Sequence, residues 1–166
     1  MQITVTRTYI GAINIPDGKL IATDPCYEPD IWCNQEVEVR KGHYLVFATY
    51  GVVPDWGERV ITLEIVHEDM KDKKATRIIG HCAVDSGQCG FFESKNYRQN
   101  HPNKETAKSE AWYNRACKIT LNDKRHNCGV MGDYGAVSES GIGDGYYDLY
   151  AGRDKGEIVA LRLRYL

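Results

Sequence analysis

The chain has 166 residues, enough for one domain to bury a substantial core without disulfides or a structural metal. Its 21 Lys and Arg stand against 23 Asp and Glu, a formal net charge of −2, which argues against a general nucleic-acid binder, since that would need a basic face to neutralise phosphates. No run reaches the ~18 apolar residues of a membrane span, and MQITVTRTYIGAINI lacks a basic segment leading into an unbroken apolar one, so the sequence reads as soluble and cytoplasmic with no membrane partner.

Residues 2–15 alternate as a strand, with Ile3, Val5 and Tyr9 to Ile15, and turn at Pro16-Asp17-Gly18. Lys19 to Ala22 is a short strand ended by Thr23-Asp24-Pro25, since proline cannot donate to a ladder. Val37 and Val39 share one face of the next strand, and Lys41-Gly42 reads as a hairpin turn into His43 to Tyr50. In RVITLEIVHE, Val60, Thr62, Glu64 and Val66 fall on one side, with Ile61, Leu63, Ile65 and His67 on the other. EDMKDKKAT is a solvated charged loop, followed by strands in RIIGHCAV and CGFFES.

Near residues 104–121 the period changes. Ala111, Trp112, Ala116 and Ile119 recur at helical spacing, which predicts one amphipathic helix. Three strands close the chain: Val130 to Ser138, Tyr146 to Ala151, and Ile158 to Leu166. In the last, Val159, Leu161, Leu163 and Tyr165 oppose Ala160, Arg162 and Arg164, and Arg153-Asp154-Lys155-Gly156 forms the preceding hairpin turn. The sum is a single domain over residues 1–166, mainly β with one inserted helix (α+β). Seven to nine antiparallel strands would form a sandwich or a partly closed barrel.

Three acidic turns stand at strand ends: Asp24-Pro25, Asp85-Ser86-Gly87 and Asp144-Gly145. If they converge, their carboxylates could accept hydrogen bonds from a ligand, hold a divalent cation or serve as acid and base. Each Asp is equally a turn former in its own right. Gly141-x-Gly143-x-Gly145 resembles a phosphate loop, but a strand follows it where a dinucleotide fingerprint requires a helix, so it reads as a turn. ATDPCY and AVDSGQC echo each other in carrying a strand into an Asp turn, over too short a stretch to mark a duplication.

The five histidines form no HExxH or HxH pair, and no serine sits in a G-x-S-x-G elbow. Cys26 and Cys33, and Cys82 and Cys89, are spaced more widely than zinc-knuckle pairs, so the six cysteines read as reduced and mostly buried. No cofactor motif is present. Eleven tyrosines and three tryptophans cluster in and beside the turns, either as packing or as a stacking wall. Arg153, Arg162 and Arg164 are candidates for a local basic patch.

Asp24-Pro25, KGHYLV, VDSGQCGFF and SGIGDGYYDLYAGRDKGEIVALRL occur in an order that resembles the bacterial and phage proteins grouped as domain-of-unknown-function 4241. The pattern spans about two thirds of the chain, and its most specific part is the segment from Ser140 to Leu166. The resemblance implies shape rather than activity, and it places Asp24, Asp85 and Asp144 on recurring motifs.

These features together point to a non-catalytic binding module for a small polar ligand of nucleotide-derived type. Asp24, Asp85 and Asp144 would accept hydrogen bonds, Ser86 and Gln88 would orient the ligand, and Tyr27 and Tyr146 would stack. A homo-oligomer could enclose the ligand. Two alternatives stand beside it: a divalent-metal-dependent hydrolase using the same carboxylates, and a protein-interaction or inhibitor module using exposed tyrosines.

Overall fold

Alternating apolar and polar side chains are stable only where one face of a strand is buried, and the chain meets that demand with two facing sheets. The computed structural model describes residues 4–28, 35–100, 107–121 and 127–166. The strands are β1 (Val5–Ile15), β2 (Lys19–Thr23), β3 (Gln35–Glu38), β4 (Gly42–Val53), β5 (Gly57–His67), β6 (Arg77–Val84), β7 (Gln88–Glu93), β8 (Cys128–Met131), β9 (Gly135–Glu139), β10 (Gly145–Asp154) and β11 (Glu157–Arg164), with one helix, α1 (Ala107–Thr120). The first sheet has the order β1-β4-β5-β11-β10-β6 and the second β3-β2-β7-β9-β8, every pairing antiparallel. The architecture is a β-sandwich of two open sheets, not a closed barrel.

The main core lies between the sheets. Ile13, Val46, Leu63, Ile65, Leu149 and Leu161 of the first sheet meet Leu20, Ala22, Phe91 and Ala136 of the second. The opposite face of the second sheet is also buried. There Ile21, Phe92 and Val137 pack beneath Trp112 and Ala116 of α1. The rings of Phe92 and Tyr97 lie 5.1 and 5.0 Å from the Trp112 ring in edge-on contact. The helix therefore covers one sheet, and the outer face of the other has no α-helix over it among the described residues.

Four sequence expectations change. The segment 130–138 is two strands rather than one, because Gly132 (φ 53°) turns the chain between β8 and β9. Lys41-Gly42 is not a hairpin turn; β3 and β4 lie in different sheets, and Gly42 (φ 130°) carries the chain across, with its α-carbon close under the His67 ring. In β5, Ile61 is an extra residue between the pairs Thr49↔Thr62 and Tyr50↔Val60, so Val60 turns inward beside Leu63 and Ile65. In β11, Val159 is likewise extra, and Ile158 takes the core position. The β10–β11 hairpin does turn at Lys155-Gly156, with φ of 49° and 83°, the paired left-handed conformation a two-residue hairpin needs.

Candidate functional site

The three acidic turns meet at one end of the sandwich. Asp24 is fully buried. Its Oδ1 accepts the Cys26 N–H (2.8 Å) and the Ser86 hydroxyl (2.6 Å). Its Oδ2 accepts the N–H groups of Asp85 (2.8 Å) and Ser86 (2.7 Å). The two turns of the sequence echo are thus joined through one carboxylate. Gly145 pairs with Val84, so the turn that carries Asp144 enters β10 beside the turn that leaves β6 at Asp85, and the Ser140 N–H donates to the Gly87 carbonyl (3.0 Å).

Convergence does not make these groups available. Four donors occupy the Asp24 carboxylate, so it acts as a buried turn cap rather than a ligand acceptor. The Ser86 hydroxyl is committed to Asp24. The Tyr27 hydroxyl donates to Asp85. Gln88 is buried against α1, accepting from the Thr120 hydroxyl (2.9 Å) and donating to the Cys117 Sγ (3.4 Å). Asp144 and Tyr146 face outward, and Tyr146 stacks on His81 at 5.0 Å. The glycine run folds on itself: the hydroxyls of Ser140 (2.8 Å) and Tyr147 (2.6 Å) both donate to the Gly143 carbonyl.

Burial, reinforced by the adjacent Asp24 carboxylate, pushes the Cys26 thiol up to about 12, which removes it as a nucleophile near neutral pH. Among the described residues no group of three His, Cys, Asp or Glu side chains is placed to hold a metal ion. Cys26, Cys82 and Cys89 are free thiols, and Cys33 lies outside the described residues. Arg98, which the sequence did not single out, clamps this end. Its guanidinium donates to the carbonyls of Pro25, Cys26 and Tyr27 and to the Ser109 hydroxyl (2.6 Å).

A second region lies on the outer face of the first sheet. The loop between β5 and β6, expected to be merely solvated, is pinned down on it. Ala75 is buried against Val66 and Ala160. The Thr76 N–H donates to the Ala151 carbonyl (3.1 Å), and the Lys73 N–H donates to the Met70 carbonyl (2.9 Å). The loop backbone passes so close to Gly152 that a Cβ there would strike the Lys74 carbonyl. The one small apolar residue in a charged loop, Ala75, was the available signal.

Beneath this loop is a cleft of ≈ 480 Å³ lined by Arg7, Lys71, Lys73, Lys74 and Arg162, with Glu64 and Asp72 as its carboxylates. A second depression of ≈ 470 Å³ adjoins it, adding Arg77 and Arg153. Glu64 is engaged by Arg7 at 3.2 Å. Lys71, Lys73, Lys74, Arg77 and Arg162 form no salt bridge among the described residues. The Arg162 guanidinium lies 4.6 Å from the Tyr150 ring centre, and its occluded Nε has no hydrogen-bond partner among the described residues. Five cationic side chains against two carboxylates leave the cleft with an excess of positive charge, which attracts an anion.

Comparison with protein-family models, with curated proteins and with solved structures finds no match to this chain.

Proposed function

We propose that this protein is a non-catalytic binding module for a phosphate-bearing, nucleotide-like small molecule held in the basic cleft. The observation that carries this reading is the set Lys71, Lys73, Lys74 and Arg162, gathered around one cleft and left without carboxylate partners among the described residues. Arg162 offers a planar fork suited to phosphate, fixed by its stacking on Tyr150. The lysines supply adjustable point charges. The ligand moves from the acidic turns, where the sequence suggested it, because the donors and acceptors there are already paired with one another.

Non-catalytic binding is favoured by what faces the cleft: ammonium, guanidinium and hydroxyl groups, a Glu64 already engaged by Arg7, and Asp72 beside Lys71 and Lys73. No His or Cys lines it to pair a nucleophile with a base. The hydrolase alternative draws no support from Asp24, whose carboxylate is saturated.

Thermal shift with ATP, pyrophosphate and adenosine, each with and without Mg²⁺, tests the reading. ATP and pyrophosphate should raise Tm in a concentration-dependent way, adenosine should not, and ATP should be recovered intact. The variant Lys73→Ala/Lys74→Ala/Arg162→Ala should lose the response while keeping its own melting transition. An equal response to adenosine, no response to any phosphate, or hydrolysis of ATP would each overturn it.

A further inference from the structure

We infer that the outer face of the first sheet is a platform for single-stranded nucleic acid, of which the basic cleft is the central phosphate station. The inference rests on the cleft reading and extends it along a line of paired residues. Tyr9 pairs with Phe47, Phe47 with Glu64, Glu64 with Arg162, Arg162 with Tyr150, and Tyr150 with Ile78. The line crosses all six strands, so at ~4.8 Å per strand it runs about 24 Å. That is several times the ~3.4 Å rise of one stacked nucleotide, so the line is longer than one nucleotide fills.

Three aromatic rings, Tyr9, Phe47 and Tyr150, lie on it, with Arg162 on the line and Arg7 over Phe47, while Glu64 at its middle is held by Arg7; rings beside cations are the combination that binds bases by stacking and phosphates by charge. At one end Tyr9 is 55% exposed and sits edge-on to Phe47, over whose ring the Arg7 guanidinium lies at 3.6 Å. Near the other end Tyr150 lies under Arg162, and Ile78 is 49% exposed. The pinned loop with Lys73 and Lys74 walls one side. On the other side runs a polar row in which Arg164 pairs with Thr62 and Thr62 with Thr49. A broad open face suits splayed bases better than a duplex, whose grooves admit a helix or a narrow ribbon. The net charge of −2 hides this segregation because it sums over all faces.

Fluorescence anisotropy with labelled single-stranded dT12, titrated against salt and compared with dTTP and a 12-bp duplex, decides the matter. The 12-mer should bind at least tenfold tighter than dTTP and the duplex. Its log K should fall with log salt, by about 0.7 per phosphate neutralised. Lys73→Ala should lower that slope. Tyr9→Ala should weaken the 12-mer about tenfold, leaving the slope and dTTP binding unchanged. If dTTP binds and the 12-mer gains nothing, the platform fails while the cleft reading stands. If the duplex binds equally well, or Tyr9→Ala has no effect, stacking is refuted. If neither dTTP nor the 12-mer binds, both readings fail.

Discussion

Asp24 shows how one residue can hold two meanings until its partners are known. Ahead of proline it ends a strand; in the fold its carboxylate caps the turn at Asp85-Ser86 and its own. Asp24→Ala strips buried N–H groups of their acceptor, and each orphaned donor is unfavourable. The expected loss is about 3 kcal/mol, a Tm fall of roughly 6–12 °C by calorimetry for a domain of this size. Asp144→Ala, on an exposed turn, should change stability by less than about 0.5 kcal/mol. Equal effects of the two would contradict the assigned roles. The sequence marked both positions but had no means to rank them, because ranking needs the four donors around Asp24, three of them from residues about 60 positions away.

At the scale of elements, alternation was readable wherever strands are regular. Leu161 and Leu163 in β11, and Val46 and Ala48 in β4, face the core as their period demands. It failed at Ile61 and Val159, where a bulge adds one residue and shifts the face of its neighbour. A bulge is settled by the partner strand, and the local pattern carries no trace of it. The β5–β6 loop was legible as charged but not as docked, since docking depends on Gly152 in a strand far along the chain. Gly152→Val should drive the Lys74 carbonyl off β10 and open the cleft. We expect ATP affinity to fall about tenfold by isothermal titration, with the far-UV circular dichroism of the β-sandwich retained. Unchanged affinity would separate loop position from binding.

For the whole molecule, the sandwich follows from many short strands and one amphipathic helix, and both were visible in the residues. Charge segregation was not, because it is a property of faces that exist only after pairing. The core also sets a pH signature. Burial raises the thiols of Cys26 (to about 12) and Cys89 and the hydroxyls of Tyr97 and Tyr165. The folded state keeps these protons where the unfolded chain, with thiols near 8.5 and phenols near 10, releases them. Stability should therefore be full below about pH 8.5 and decline as pH rises towards 12. Urea midpoints at pH 7 and pH 10.5 check the sign; an equal or higher midpoint at the alkaline pH would contradict it.

The central claim is that ligand binds under the pinned loop and not at the acidic turns. A ¹⁵N–¹H correlation spectrum titrated with pyrophosphate addresses it directly at this size of 18.8 kDa. The account predicts the largest shifts at the amides of Lys71 to Arg77 and at the Arg162 Nε–H. Shifts centred on Asp24–Tyr27, Asp85–Gln88 and Gly141–Tyr146, or none at all, would contradict it.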